Sequence, residues 1–327
     1  MKKIMTTKLL TVFLISIIFL SGCSSSDTTA KTQKEFTIGI SQLAEHPALD
    51  DARRGFEDGL KELGIEAKIE YQNAQGDIPT SLSIAQKFVK DGVDLIYAIA
   101  TPAAQSAKQA TADIPVVFSA VTDPVDAELV ESMEAPGGNV TGTSDASPMD
   151  RQLQLFMDLD SNIKKIGIIF NTGEPNSHIQ VKSARELAAD LGLEIVEVGI
   201  NTINDIPQAV DSIVNKVDAI YTITDNMVAS AINVVAEKAI ENNMITVGAE
   251  ESHLAGGILI TDGISYYELG KQSARMAKEI LVDGKSPSEI PVETATNTKK
   301  VYNEQTLKAL GLDINNKAFE GAEKFVK

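Results

Sequence analysis

Cysteine is almost absent from this 327-residue chain. Cys23 stands alone, which rules out an intrachain disulfide and any metal site built on thiolates. Histidine is nearly as scarce: His46, His178 and His253 are scattered, so no pair has the spacing of metal ligands and no metal site is expected. Basic residues are outnumbered, 29 Lys and Arg against 46 Asp and Glu, for a formal net charge of −17. That balance argues against a nucleic-acid partner and against polybasic adhesion to anionic lipid. Catalytic signatures are missing as well. The chain has no Gly-x-Ser-x-Gly, no His-Glu-x-x-His, no phosphate loop and no Gly-x-Gly-x-x-Gly, so neither an enzyme nor a cofactor is expected.

What is present begins with Lys2, Lys3 and Lys8, an apolar run over residues 9–20, and then Leu20, Ser21, Gly22 and Cys23. The run is too short to span a bilayer and reads as a secretory signal peptide over residues 1–22. Its end resembles the lipobox of bacterial lipoproteins, in which the cysteine is lipidated and becomes the mature N-terminus. Residues 23–34, rich in Ser and Thr, then form a flexible tether. The expected location is the cell membrane, lipid-anchored on its extracytoplasmic face, with the lipid as the sole membrane contact.

The rest of the chain is organised around residues 93–105. Val93, Asp94, Leu95, Ile96 and Tyr97 open an apolar run that ends at Thr101 and Pro102, a buried strand feeding a helix with Thr101 as N-cap and Pro102 at its first position. Residues 217–230 echo it: Val217, Asp218, Ala219, Ile220 and Tyr221, then a threonine turn and a helix. The spacing of the two copies is far too long for a solenoid repeat and suits a duplicated lobe. Flanking segments repeat in the same order, residues 36–41 with 165–170, 78–89 with 206–214, and 113–118 with 243–248. The expected fold is α/β, two Rossmann-like parallel-sheet lobes joined by three crossovers. Lobe 1 covers 35–142, completed by part of 263–327, and lobe 2 covers 143–262. The crossovers fall near residues 142–145, 260–263 and 292–296.

Open parallel sheets bind ligands in the loops at the carboxyl ends of their strands. In this chain those loops hold Thr, Ser, Asn and Asp, residues suited to hydrogen-bonding a polar zwitterion without chemistry. Helix N-termini at Thr101, Pro102, Ala103 and at Ser119, Ala120 offer N–H groups to a carboxylate. Asp145, Asp225 and Asp262 are candidates for an ammonium, and Asp225 is equally placed to cap a helix over residues 226–239. Thr122 offers a hydroxyl, His46 and Leu49 a wall, and Asn176, Thr224 and Glu250 further strand-end polar groups. Tyr97 reads as core. Asp50 or Asp51 is expected to cap the first helix, and the loop with Glu251, Ser252 and His253 reads as solvated.

The chain resembles the ABC-type substrate-binding lipoproteins of the tryptophan/tyrosine-binding class. The matching phrases run over residues 45–50, 71–77, 98–105, 120–124, 136–145, 224–226 and 266–272, beginning Glu45-His46-Pro47-Ala48-Leu49-Asp50 and ending Tyr266-Tyr267-Glu268-Leu269-Gly270-Lys271-Gln272. The resemblance implies a periplasmic-binding-protein-like fold of type I whose lobes close on an aromatic amino acid, tyrosine, tryptophan or phenylalanine. It also implies delivery of that ligand to ABC permease and ATPase subunits. A surface lipoprotein acting as adhesin or ligand sensor is the competing reading. The anchor is directly testable: Cys23→Ala is expected to move the protein from the membrane fraction to the soluble fraction, and unchanged membrane retention would exclude attachment through Cys23.

Overall fold

The structure, a computed structural model, describes residues 35–326; the signal segment, Cys23 and the tether lie outside them. The first half runs β1 (Phe36–Gln42), α1 (Pro47–Glu62), β2 (Ala67–Asn73), α2 (Ile78–Asp91), β3 (Leu95–Ile99), α3 (Thr101–Ala110), β4 (Val116–Val121) and β5 (Val140–Ser144). The second half runs α4 (Met149–Leu159), β6 (Lys165–Asn171), α5 (Pro175–Asp190), β7 (Glu194–Ile200), α6 (Ile206–Ile213), β8 (Ala219–Thr222), α7 (Asn226–Ser230), α8 (Ile232–Glu241), β9 (Ile245–Glu250) and β10 (Ile260–Ile264). It closes with α9 (Tyr266–Leu281), β11 (Glu293–Thr294), β12 (Thr298–Tyr302), α10 (Glu304–Ala309) and β13 (Glu323–Lys324).

These strands form two sheets, ordered β11-β5-β4-β3-β1-β2 and β13-β12-β10-β9-β8-β6-β7. Strands β2-β1-β3-β4-β5 and β7-β6-β8-β9-β10 stand in the same order, so the duplication read from the sequence is a duplication of topology. Within each repeated set the pairing is parallel; among the described residues β12 pairs antiparallel with β10, and β13 follows β12 in parallel. Helices cover both faces of each sheet, which is why β3 is a continuous apolar run buried at every position. The chain passes between the sheets after β5, after β10 and after β11.

The repeated Val-Asp-x-Ile-Tyr phrase has a structural job in both lobes. Asp94 accepts the Thr37 N–H at 2.8 Å and its own N–H is donated to the Thr37 carbonyl. Asp218 does the same for Lys164, Lys165 and the Lys165 carbonyl. Each aspartate thus ties the start of one central strand to the next. Both tyrosines are core, as expected for Tyr97: it stacks on Phe56 with centroids 3.8 Å apart and donates to the Ala52 carbonyl, while Tyr221 donates to Gln152 at 2.5 Å.

Three local expectations are corrected. Helix α1 starts at Pro47 with His46 as N-cap, so Asp50 sits in the first turn and neither Asp50 nor Asp51 caps it. Helix α3 is preceded by Ala100 at φ 87°, and Thr101 is its first helical residue rather than its cap. The helix foreseen over 226–239 is broken at Ala231 into α7 and α8.

Helix α9 belongs with the first sheet. It lies against α1 with glycines on both sides: a Cβ on Gly55 would stand 2.0 Å from the Tyr267 carbonyl oxygen, and one on Gly270 would stand 2.1 Å from that of Ala52. Ser273 of α9 also bonds Thr143 at 3.0 Å and the Phe118 carbonyl. Backbone therefore meets backbone, and no side chain can yield to a larger residue. Gly270→Ala is expected to lower stability by about 1–3 kcal/mol, seen as a depressed melting temperature; an unchanged melt would show that the two helices can separate without cost.

Candidate ligand-binding site

Between the lobes lies a narrow cavity of about 10 Å3, room for one water as the lobes stand and for a larger ligand only when they part. Lobe 1 contributes His46, Leu49, Ala120 and Thr122, lobe 2 contributes Asn176, Thr224, Asp225, Asn226, Ala229 and Glu250, and the crossovers contribute Asp145 and Tyr266. His46 is placed by the turn after β1, where Gln42 donates to the Ala44 carbonyl and to Asp50. Ala120 holds φ 58° at the end of β4, a left-handed conformation that costs free energy and is found where a site demands it.

Two of the nearby acids are fully occupied by the chain. Asp225 caps α7 by accepting the Val228 N–H and also accepts the Asn171 N–H and the Ser177 hydroxyl. Burial and the neighbouring Glu174 raise its carboxyl above the usual range. Glu174 takes the side-chain amides of Asn171, Asn176 and Asn226 and the backbone N–H groups of Asn226 and Met227.

The remaining groups are only half satisfied. Tyr266 donates to Asp145 Oδ2 at 2.5 Å, and Asp145 Oδ1 has no hydrogen-bond partner among the described residues. Burial raises the Asp145 carboxyl to about 6 against that bond. His253 Nε2 stands 2.9 Å from Glu250 Oε1, and Thr222 bonds the other ring nitrogen, leaving Glu250 Oε2 unpartnered. Burial opposes the charge on Glu250, but His253, His46 and Ser252 together outweigh it and the carboxyl falls below its ordinary range. Asn176 spends its amide hydrogens on Glu174 and the Thr224 carbonyl, so its orphaned Oδ1 is an acceptor.

His46 completes the set. Its Nε2 lies 3.1 Å from Asn226 Oδ1 across the cleft. Asn226 gives its own amide hydrogens to Glu174, which fixes Oδ1 as the acceptor and His46 Nε2 as the donor. Burial lowers the His46 pKa, and a neutral ring protonated at Nε2 leaves Nδ1 as a bare acceptor, also without a partner. Four buried orphan acceptors therefore surround one cavity, and no lysine or arginine is among its described lining residues.

Of the candidates read from the sequence, His46, Leu49, Thr122, Asp145, Asn176, Thr224, Asp225 and Glu250 line this cavity. Thr101, Pro102, Ala103, Ser119 and Asp262 do not. Thr101, Pro102 and Ala103 are buried in the first turn of α3, inside lobe 1. Ser119 accepts from Thr143, within the polar contact that holds α9 on its sheet. The Asp262 carboxylate faces Arg151 at 3.3 Å, and its carbonyl takes the Gln152 amide. Ala120 lines the cavity too, but from the end of β4 and not from the helix start expected at Ser119 and Ala120; Asn226, Ala229 and Tyr266 were not foreseen, and two of these sit inside the phrases that carry the family resemblance. His253, expected in a solvated loop, is fully buried. No metal-holding cluster occurs among the described residues.

Residues 37–326 match the family model for ABC transporter substrate binding proteins. The chain belongs to this family. Its members are solute-binding proteins, not an enzyme class. A tyrosine-binding protein of Clostridioides difficile strain R20291 is 46% identical over 325 residues, 95% of this chain and 93% of the relative. The ABC domain from Streptococcus pneumonia in complex with L-Trp has a TM-score of 0.85 at 33% identity, covering 90% of this chain and all of that one. A substrate binding protein with adhesive properties from Clostridium difficile, solved ligand-free and open, reaches a TM-score of only 0.68 at 44% identity, covering 89% and 99%. The more similar sequence is the less similar shape. The lobes of this family member are drawn together over the cavity, with the His46–Asn226 bond spanning them.

Asp145 gives the ligand-free protein a pH dependence. A carboxyl whose folded value lies above the unfolded 3.8 contributes stability that is full below about 4 and lost as pH rises through about 6. His46, lowered in the fold, acts oppositely as pH falls through 6.5, but it is common to wild type and variant. Asp145→Asn is therefore expected to gain up to about 3 kcal/mol over wild type as pH rises from about 4 to about 7, read as a widening difference in thermal melts. A constant difference would remove the buried charge as its cause.

Proposed function

We propose that this family member is the solute-capturing subunit of an ABC importer, anchored through lipid on Cys23 to the extracytoplasmic face of the cell membrane. Its ligand is an aromatic amino acid with a hydrogen-bond donor on the ring, tyrosine or tryptophan, held in the cleft between the lobes. The permease and ATPase subunits of the importer are its partners. The four orphan acceptors carry the ligand reading. A ligand ammonium brings three N–H donors, and a phenol or indole brings one more, so four donors meet four acceptors. Phenylalanine leaves one acceptor buried and unmatched. The relatives named for tyrosine and solved with L-Trp support the same reading. Micromolar affinity needs about −8 kcal/mol, within reach of two or three charge-assisted bonds and a buried ring. The relative with adhesive properties supports a second role as a surface adhesin, tested by comparing the adhesion of cells that carry the lipidated form with that of cells expressing Cys23→Ala, which do not retain the protein.

Because the chain contains no tryptophan, the fluorescence of L-tryptophan reports its own binding without protein background, and the other amino acids are titrated by displacement. Tyrosine and tryptophan are expected to saturate, with phenylalanine about 10- to 100-fold weaker. Equal affinity for all three, or binding of none, would exclude this ligand class.

A further inference from the structure

We infer that the cavity is a cation well which accepts arylalkylamines such as tyramine and tryptamine, ligands that lack the carboxylate of an amino acid. The inference rests on the reading of this cavity as the ligand site and names what that site selects. All four orphan atoms are acceptors: Asp145 Oδ1, Glu250 Oε2, Asn176 Oδ1 and His46 Nδ1. Their side chains are each more than nine-tenths buried, so water cannot replace the missing donors cheaply. Two of the four are carboxylate oxygens. The other two nearby acids, Asp225 and Glu174, are already saturated by the chain's own N–H and O–H groups. Asp145 and Glu250 are thus the pair left for a ligand, and they feel each other's charge. An ammonium between them removes that repulsion and satisfies both.

Nothing comparable awaits a carboxylate. Arg54 is turned to Asp51 at 2.7 Å, and Arg151 lies against Asp262; neither lines the cavity. For a ligand carboxylate the lining offers neutral groups alone, such as the Thr122 hydroxyl, which already lies against Asp145. It also brings a second negative charge near Asp145 and Glu250. Removing the carboxylate gives up neutral hydrogen bonds and relieves that repulsion. Removing the ammonium strands two buried carboxylates.

Calorimetric titration of the wild-type protein with L-tyrosine, tyramine and 3-(4-hydroxyphenyl)propionate tests this, since the last two each lack one charge. Tyramine is expected to bind within about 10-fold of tyrosine, and the propionate to lose more than about 100-fold. Glu250→Gln should weaken tyramine by about 10-fold or more; if that variant does not fold, the wild-type series decides alone. Loss of tyramine binding while tyrosine binds would overturn the inference and leave the amino-acid reading standing. Tyramine binding without tyrosine binding would support the inference and overturn that reading. Binding of neither, or binding of the propionate as tight as that of tyrosine, would overturn the cation well.

Discussion

A carboxylate taken out of water must be given hydrogen-bond donors or a counter-charge, and the cleft is arranged around that requirement. Glu174 and Asp225 meet it entirely from within, drawing donors from the starts of α5 and α7 and from the end of β6. Those bonds lock Asn226 and, through it, the one imidazole that reaches across from the other lobe. Asp145 and Glu250 meet the requirement only by half, each with one oxygen engaged and one bare. The satisfied acids build the wall, and the unsatisfied ones define what the wall is for.

The duplicated unit explains why such a site forms at the junction. Each sheet delivers its loops at the carboxyl ends of parallel strands, and two sheets facing one another bring both sets of loops to one cleft. The strands themselves are held by equivalent devices, Asp94 and Asp218 fastening the central strand of each sheet. What differs between the halves is the loop chemistry. Lobe 2 supplies most of the polar groups, whereas lobe 1 supplies an imidazole, a leucine, a strained alanine and a threonine.

This division decides how much could be read in advance. The repeat, the strand order and the two sheets were legible because long apolar runs and their echo constrain topology strongly. The stretch that anchors that reading is nevertheless structural: its aspartate and tyrosine hold the lobe, and Thr101, Pro102 and Ala103 are packed inside it. A helix start after a strand is a candidate anion site by pattern, but Ala100 at φ 87° turns this one inward. Residues chosen for their loop position at strand ends fared better, as Asp145, Asn176 and Glu250 show. Asn226 and Tyr266 escaped because a neutral amide and a phenol look like surface residues until their bonds to Glu174 and Asp145 are seen. Pairings of such sequence separation carry no periodic signal.

The seating of α9 against α1 has a consequence for the order in which the chain can become a protein. The first sheet emerges from the ribosome long before Gly270, yet the face of α1 that carries Gly55 stays uncovered until α9 arrives. Most of lobe 2 lies between these two segments in sequence, so the half that is begun first stays unfinished until most of the other half has been made. Domains made early ordinarily fold early; here the N-terminal lobe is kept incomplete by its own connectivity. For a chain proposed to cross a membrane before it works, that delay keeps the leading portion loose enough to be threaded through a translocation channel.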